Sequence, residues 1–276
     1  DLPPLRWQYT DYVAWQERLR RDGTLEGDLA FWRQRLAGAP RCTTLPPDLP
    51  RPSVQSFEGS SMPLVLGPDT TARLRTRARE WGASLNHLTL AATAMLLAAF
   101  SGNGDLVLGL PLANRTRREL EPIVGMFVNV VPLRLLLAPE MPVRDLVAQV
   151  RQASAEALEH CHLPFERLTK ELAGGRDLTM SPIYQVAYDF LPPLADGHAF
   201  GGLEVRSLEL PSDLGISKYD CSFYLEEREG GVAGQIEYAT SLYRRESAER
   251  WAQAFNTIVE AMLARPEAVV GDCSAS

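Results

Sequence analysis

The stretch at residues 85–100 constrains the fold more than any other part of this 276-residue chain. It is apolar along nearly its whole length, Ser84 precedes it as a candidate N-cap and Gly102 follows it, so it predicts a helix. Because this helix lacks a polar face, other parts of the chain must cover it on most sides. A buried strand at 105–111 comes next, and the helix-to-strand order is typical of an α/β layer.

The rest of the chain adds helices and strands around this pair. The first predicted helix is capped by Thr10 or Asp11 and ends before Gly23. Apolar spacing predicts further helices at 25–36, 69–82, 143–159 and 246–263, and a short one that ends at Gly174. Alternating, β-branched or aromatic residues predict strands at 60–67, 126–137, 183–190, 203–210, 219–227 and 232–239.

Within the helix at 143–159, the spacing turns four residues toward the core: Leu146, Val150, Ala153 and Leu158.

Hydrophobic residues make up 45% of the chain, which is enough for one big domain or one and a half small ones. At 39–56 the composition shifts to Pro, Arg and small polar residues. This shift predicts an extended crossing segment and not a new domain.

The net charge of -7 argues against a surface for nucleic acid or anionic lipid, because both need clustered Lys and Arg. Three arginines at 115, 117 and 118 are followed by glutamates at 119 and 121, so they do not change this conclusion. We therefore expect neither a nucleic-acid partner nor a membrane partner.

Cysteine usage favours a reduced, cytoplasmic protein. The four cysteines lie far apart and show no Cys-x-x-Cys spacing. The longest apolar helix is too short to span a bilayer, and no charged-then-apolar leader begins the sequence. Because the first residue is Asp and not an initiator Met, we expect a piece of a longer protein.

The search for catalytic motifs gives little. There is no Gly-rich phosphate loop, no Gly-x-Ser-x-Gly elbow and no His-Glu-x-x-His helix. His160, Cys161 and His162 are of types that bind zinc, but no third and fourth ligand stands at convincing spacing. A positive group at a helix end explains His160 better, so we predict no metal site. We expect His87 to be packed and His198 to be solvated.

An apolar run at 123–134 is interrupted by Gly125 and Asn129. A single amide in apolar surroundings is either hydrogen-bonded to nearby backbone or placed to meet a ligand. The residues alone favour the structural role for Asn129. Arg134, at the end of this run, is a position where an arginine often has a buried carboxylate partner.

Four stretches in this order resemble the later motifs of nonribosomal peptide synthetase condensation domains. They are Tyr-Thr-Asp-Tyr-Val-Ala-Trp-Gln from Tyr9, Ile-Val-Gly-Met-Phe-Val-Asn-Val-Val-Pro-Leu-Arg from Ile123, His-Cys-His-Leu-Pro-Phe-Glu from His160, and Arg-Asp-Leu-Thr-Met-Ser-Pro-Ile-Tyr-Gln-Val from Arg176. The stretches 109–115 and 218–220 resemble further landmarks of the family. The resemblance therefore extends over essentially the whole chain.

The resemblance implies an α/β fold of the chloramphenicol-acetyltransferase-like class, with two sandwich lobes in a V and an active-site tunnel between them. The family's His-His-x-x-x-Asp-Gly signature belongs to the first lobe and does not occur in this sequence. The chain is thus expected to be the C-terminal lobe, a two-layer sandwich in which helices pack on a mixed sheet. Residues 1–56 would supply the opening helices and crossing segment, and residues 57–276 the sandwich.

The function that the resemblance implies is amide formation between two thioesters, each tethered to a carrier protein by a phosphopantetheine arm. The expected partners are the N-terminal lobe, the upstream and downstream peptidyl carrier proteins and an adjacent adenylation domain. No cofactor would be bound to the chain itself, and this lobe alone would be inactive. The alternative is a non-catalytic relative that recruits a carrier protein or a tailoring enzyme.

Roles carry over only to matching positions. Arg115 resembles the arginine that pairs with the aspartate of the absent signature, which would tie the lobes together, and Arg134 resembles a structural arginine. The remaining matches imply proximity to the tunnel. Asn114 would begin a loop, 114–122, that floors the tunnel, and Gly125, Phe127 and Asn129 resemble tunnel-proximal sheet positions. Asp177 and Ser181 fall in a later motif near the active site. Three residues depart from the family pattern, because Cys161 and His162 replace the usual Gln and Asp, and Ser181 replaces Asn.

Overall fold

The computed structural model describes residues 4–174, 177–191, 199–200, 203–204, 213–228, 230–265 and 267–273. The helices in these ranges are α1 (Tyr9–Arg21), α2 (Leu25–Arg35), α3 (Pro68–Glu80), α4 (Leu85–Ser101), α5 (Val143–Glu159), α6 (Phe165–Leu172) and α7 (Arg245–Ala264). The strands are β1 (Gly59–Leu66), β2 (Asp105–Leu112), β3 (Asn129–Leu136), β4 (Val186–Leu191), β5 (Ala199–Phe200), β6 (Leu203–Glu204), β7 (Cys221–Arg228) and β8 (Gly231–Ala239).

Six of the strands form one mixed sheet in the order β1-β8-β7-β4-β2-β3. β4 lies parallel to both of its neighbours, β2 and β7, and the other pairs are antiparallel. β1 and β3 are the edges of the sheet, and β5 pairs with β6 in a separate two-stranded hairpin. Because β2 and β4 are parallel, their carboxyl ends point to the same end of the sheet.

The main core lies between one face of this sheet and helices α3, α4, α5 and α7. α4 is the most enclosed helix, since its side chains from Leu85 to Leu97 are buried on nearly every side. Ser84 Oγ accepts a hydrogen bond from the backbone N–H of His87 and caps α4 as predicted. The apolar stripe of α7 is buried against the same core by Trp251, Phe255, Ile258 and Met262.

The opposite face of the sheet is covered in part by aromatic side chains. Val107, Tyr184 and Tyr219 form a smaller cluster there, and Leu36 after α2 and Phe165 of α6 pack against it. The hydroxyl oxygens of Tyr184 and Tyr219 lie 3.0 Å apart within this layer. Helices α2 and α6 contact each other near the start of β4.

The crossing segment at 39–56 contains neither a helix nor a strand, as its composition predicted. It is held to the sheet by Asp220, which is 2% exposed and forms a two-pronged ion pair with Arg51. Thr44 donates a further hydrogen bond of 2.9 Å to the same carboxylate. A buried carboxylate needs such partners, because leaving it unpaired in the core would be strongly destabilising.

The structure corrects several details of the predicted elements. α1 begins at Tyr9 with Gln8 as its N-cap, and Asp11 instead accepts a hydrogen bond of 2.8 Å from the Gln8 N–H. β3 begins at Asn129 and not at 126, and Leu158 is 57% exposed and not turned inward. Most of the strand predicted at 203–210 lies outside the described residues.

Among described helices, no single one has the length and apolar character to cross a membrane; α3 and α4 meet these criteria only as a pair bent by 103°.

Candidate functional site

The connection from β2 to β3, residues 114–128, carries most of the predicted site residues and is called the 114–128 loop below. It begins at Asn114, whose φ of 52° lies in the left-handed region that asparagine tolerates better than most residues. The Asn114 Nδ2 donates to the Tyr12 hydroxyl of α1 at 3.1 Å, and its Oδ1 lies 3.8 Å from the Cys161 Sγ, which donates to it. The turn is therefore anchored to two distant parts of the chain.

Arg115 closes the 114–128 loop on itself. Its Nη1 donates to the carbonyl oxygens of Leu120 and Ile123, the latter at 2.9 Å. Its Cζ also lies 4.1 Å from the ring centroid of Phe127, within cation–π range. Its Nε and Nη2 form no hydrogen bond with other described residues, and the predicted pairing with another lobe stays a prediction.

Phe127 is a packing residue beneath α1. It is 3% exposed, and its ring centroid lies 4.6 Å from that of Tyr12 and 5.2 Å from that of Tyr9. Burial raises the pKa of the Tyr12 hydroxyl to about 12, so this group remains a neutral hydrogen-bond partner. The interpretation of Phe127 as a sheet position is wrong, because the apolar run continues through a loop before β3 begins.

Gly125 allows α1 to approach the loop closely. A Cβ at this position would lie 2.3 Å from the Cδ2 of Tyr9, whose hydroxyl donates to the Met126 carbonyl at 2.7 Å. Gly125 also precedes β3 and is not a sheet position. Its role in this structure is to make room for the Tyr9 ring.

The outer side of the same loop is apolar and uncovered. Val124 is 94% exposed, Met126 72% and Val128 49%, although the loop's inner side is packed and hydrogen-bonded. Adjacent large apolar side chains left open to solvent mark a surface that suits contact with another protein.

Asn129 bridges β3 to the turn between α5 and α6. Its Nδ2 donates to the carbonyl oxygens of Cys161 and Leu163, both at 2.9 Å, and its Oδ1 accepts from the Phe165 N–H at 3.1 Å. With three backbone partners the amide is fully engaged, as the structural interpretation of this residue requires.

Arg134 forms a two-pronged ion pair with Asp105 at the start of β2. The Nε–Oδ1 and Nη2–Oδ2 distances are 2.9 and 2.7 Å, and the pairing raises the pKa of the guanidinium. The Arg134 Nη1 also donates to the carbonyl oxygens of Arg35 and Ala37, at 3.2 and 2.7 Å. These contacts fix the end of α2 against the edge of the sheet.

Asp177 and Ser181 line a cavity of about 500 Å³ that opens between α2, α6 and the start of β4; we call it the Arg41 cavity. The Asp177 carboxylate accepts hydrogen bonds from the Thr179 hydroxyl at 2.6 Å and from its N–H at 2.8 Å. These bonds lower the pKa of Asp177, and the positive charges of Arg51 and Arg41 lower it further.

The predicted site residues fall into two groups along β2. Those of the 114–128 loop and Asn129 lie at the carboxyl end of β2, where Leu112 pairs with Asn129. Asp177 and Ser181 precede β4, and Val107 in the first half of β2 lines the same cavity as they do. Phe165 lies between the groups, because its N–H donates to Asn129 and its ring centroid lies 5.3 Å from that of Tyr184. The proximity of these residues to a tunnel stays a prediction.

His160 and His162 pack against aromatic side chains of the first two helices. His160 follows the last residue of α5; its Nδ1 lies 2.8 Å from the Asp28 Oδ1, and its ring stacks on Phe31 at 3.9 Å. His162 makes an edge contact with Trp15, and Cys161 is fully buried, which raises the pKa of its thiol. Across the described ranges, no three His, Cys, Asp or Glu residues are grouped to hold a metal.

His87 completes the capping box of α4, where its Nδ1 accepts from the Ser84 N–H at 3.3 Å. Burial lowers the pKa of its imidazole, so it serves as a neutral acceptor. His198 lies outside the described residues.

Sequence reasoning missed several residues that shape these sites. Arg41 and Val107 line the cavity. Nothing in the sequence around them distinguishes Arg41 from other exposed arginines or Val107 from other strand valines. Asp105 was detectable in principle, since it opens a strand whose antiparallel partner ends near Arg134. On the sheet face opposite the helical layer, burial also raises the pKa values of the Asp189 and Glu237 carboxyls.

A model of the Condensation domain family matches residues 1–275. The phosphinothricin tripeptide synthetase PhsC of Streptomyces viridochromogenes is 37% identical over 268 residues, which cover 96% of this chain and 24% of that protein. The X-domain from teicoplanin biosynthesis superposes with a TM-score of 0.88 at 30% identity, covering 99% of this chain and 63% of that one. The same domain in complex with OxyB gives a TM-score of 0.87 at the same identity, covering 99% of this chain and 61% of that one.

The condensation domain of the monacolin K polyketide synthase MokA shares the fold, with a TM-score of 0.79 at 21% identity over 94% of this chain and 62% of that one. The chain thus spans less than two thirds of each of these relatives. Together these similarities confirm the predicted mixed α/β fold of the chloramphenicol-acetyltransferase-like class. This chain belongs to the condensation domain family.

Proposed function

We propose that this chain is the C-terminal lobe of a condensation domain that forms an amide bond in nonribosomal peptide synthesis. The observation that carries the proposal is the 114–128 loop, which Arg115 and Tyr9 tie down on its inner side while Val124 and Met126 stand exposed. An anchored loop with an apolar outer side favours contact with a second protein surface. The similarity to a tripeptide synthetase supports the domain's other lobe as that surface.

In the proposed reaction, the amine of an acceptor aminoacyl thioester attacks the carbonyl carbon of a donor acyl or peptidyl thioester. The C–N bond forms, the C–S bond breaks, the amine gives up a proton, and the donor's phosphopantetheine leaves as a thiol. This chemistry needs two tethered reactants held together, a group that takes the proton and donors for the oxyanion. We assign part of the positioning to this chain and the proton transfer to a histidine of the other lobe.

The partners follow from this reaction. Upstream and downstream carrier proteins would deliver the two thioesters on their phosphopantetheine arms, and an adjacent adenylation domain would load one of them. Residues 1–56 would supply the opening helices and crossing segment of this lobe, and residues 57–276 would form its sandwich. The chain itself would bind no cofactor, and its setting would be the cytoplasm.

The test joins this chain to the rest of its condensation domain and adds loaded donor and acceptor carrier proteins. Intact-protein mass spectrometry should show the donor acyl group transferred to the acceptor carrier, with the donor carrier left as a free thiol. Replacing the signature histidine of the other lobe by alanine supplies the control and should abolish the product. If the joined domain binds both carriers but forms no product, the enzymatic proposal fails.

The second candidate is a non-catalytic domain that recruits a tailoring enzyme. It is favoured by the 30% identity to an X-domain that is known in complex with OxyB. One assay distinguishes the two candidates, because a recruiting domain would capture a tailoring enzyme of its own pathway and leave both loaded carriers unchanged.

A further inference from the structure

The Asn114 side chain is held at both ends of its amide. Its Nδ2 donates to the Tyr12 hydroxyl, and its Oδ1 accepts from the Cys161 thiol with an Sγ–Oδ1 distance of 3.8 Å. Tyr12 belongs to α1, and Cys161 lies in the turn between α5 and α6. Because the two partners come from distant parts of the chain, the tertiary fold orients this amide and the 114–128 loop itself does not.

The Tyr12 hydroxyl is a fixed anchor for that amide. Tyr12 is 2% exposed, and its ring lies against those of Tyr9 and Phe127, at centroid distances of 5.8 and 4.6 Å. Gln16, one turn later in α1, donates its Nε2 to the same hydroxyl oxygen at 2.8 Å. The hydroxyl therefore accepts two side-chain hydrogen bonds, which fix where its oxygen lies relative to the loop.

The backbone at Asn114 needs this support. Its φ of 52° is left-handed, a conformation that costs free energy for a residue with a Cβ. Residues in such conformations persist where the surrounding structure fixes them. Asn114 follows closely after β2, which ends at Leu112, so its conformation sets the direction in which the 114–128 loop leaves the sheet.

We propose that Tyr12 is a positioning residue for amide formation, because its hydroxyl acts through the Asn114 side chain to hold the 114–128 loop in a single conformation. This role rests on the proposed function. The hydroxyl and the amide do not touch the reacting atoms; they fix the loop beside which the two tethered thioesters meet. Reactions between tethered groups are sensitive to small misplacements, so a loosened loop should slow the chemical step while carrier binding stays unchanged.

The test measures amide formation by the complete condensation domain with loaded carrier proteins, over a range of acceptor-carrier concentrations. Tyr12→Phe removes the hydroxyl and keeps the ring against Phe127. We expect kcat to fall about tenfold with the KM for the acceptor carrier unchanged, because the loss lies in orientation and not in binding. Tyr188→Phe is the matched control, since it removes a buried hydroxyl that bonds to Thr89 and Asn86 of α4, away from the loop. It should leave kcat within about twofold of the parent value.

A second variant separates the amide from the backbone. Asn114→Gly tolerates the left-handed φ but has no amide, so it should lower kcat at least as much as Tyr12→Phe does. The double variant should be no slower than Asn114→Gly alone, because Tyr12 acts through that amide. Circular dichroism checks that each variant folds.

Three results would overturn the inference: an unchanged kcat for Tyr12→Phe or Asn114→Gly, an equal fall for Tyr188→Phe, or losses that add in the double variant. Each is obtained with an active parent domain and leaves the proposed function intact. A parent domain that binds both carriers and forms no product refutes the proposed function, and the positioning role falls with it.

Discussion

The Asn129 side chain holds together backbone groups that lie far from it along the chain. Its place in an apolar run indicated that the amide must be satisfied, but its partners Cys161, Leu163 and Phe165 are 32, 34 and 36 residues away. They reach it only because α5 folds back along the sheet. No local pattern carries that information, so the sequence favoured a structural role for Asn129 without identifying which backbone groups the amide bridges.

We expect Asn129→Ala to lower the free energy of unfolding by about 2 kcal/mol, because it leaves two carbonyl oxygens and one N–H without partners in a partly buried site. Urea denaturation followed by circular dichroism measures the change. Asn256→Ala is the matched control, since Asn256 makes one local bond to Ala252 within α7. Equal losses for the two variants would show that the bridge adds nothing to stability.

Glu237 should give the chain a pH dependence opposite to that of most carboxylates. Burial raises its pKa, against the opposing effect of hydrogen bonds from Lys218 and Ser217. A raised pKa in the folded state means that the contribution to stability is greatest below the ordinary carboxyl pKa of about 4 and falls as the pH rises through the raised value.

Glu237→Gln should therefore melt at a higher temperature than the unchanged chain, and the gap should widen from about pH 4 to about pH 7. Thermal melts at several pH values measure it. Glu267→Gln, which alters an exposed glutamate, should show no such widening. A gap for Glu237→Gln that is constant with pH would contradict a buried, ionising carboxyl.

At the scale of elements, periodicity predicted α5 with its observed bounds and placed the other long helices within a few residues. It failed at β3, whose predicted start at residue 126 lies three residues before the observed start at Asn129. Hydrophobic character indicates burial, and Met126 and Val128 are apolar yet exposed. Residues that face another protein therefore look like core residues in the sequence of one chain alone.

Both edges of the sheet carry a proline near their centre. Pro63 of β1 faces Gln235, and Pro132 of β3 faces Gly109. Because proline has no N–H to donate, its nitrogen points away from the paired strand and removes a donor from the open edge. Further along the open edge of β3, the Gln149 side chain of α5 satisfies the backbone of Leu136. It accepts from the Leu136 N–H at 2.8 Å and donates to the Leu136 carbonyl oxygen at 3.1 Å.

Gln149→Ala should open the β3 edge, lower the free energy of unfolding by about 1 kcal/mol and increase self-association. Light scattering after size-exclusion chromatography measures the second effect. Gln152→Ala is the control on the same helix, because Gln152 is exposed and bonds only to its neighbour Glu156, one turn along α5. If both variants stay equally monomeric and stable, Gln149 does not protect this edge.

In the whole molecule, the 114–128 loop and the Arg41 cavity lie at different positions along β2. The loop follows the carboxyl end of β2, and the cavity lies beside Val107 in the first half of that strand. Helix α6 connects them, because Phe165 at its start bonds to Asn129 and Leu172 at its end lines the cavity. Sequence resemblance assigned residues of both to one tunnel, and that assignment stays a prediction.

The fold class followed from the sequence because motifs and periodicity both depend on local order. The arrangement of the site did not, since it depends on which elements the sheet brings together. The exposed side of the 114–128 loop depends on both: the sequence shows that its residues are apolar, and only the fold shows that they are exposed. Under the proposed function, its apolar residues face a surface that lies beyond this chain.

We propose that the 114–128 loop packs against the other lobe of a condensation domain. Oxidation of methionines by dilute peroxide, followed by peptide mass spectrometry, tests it through Met126, which is 72% exposed here, with buried Met62 and Met95 as internal references. We predict rapid oxidation of Met126 in this chain alone and at least tenfold slower oxidation, by order of magnitude, in the complete domain, because packing excludes the oxidant. Equal oxidation of Met126 in both proteins would contradict the account.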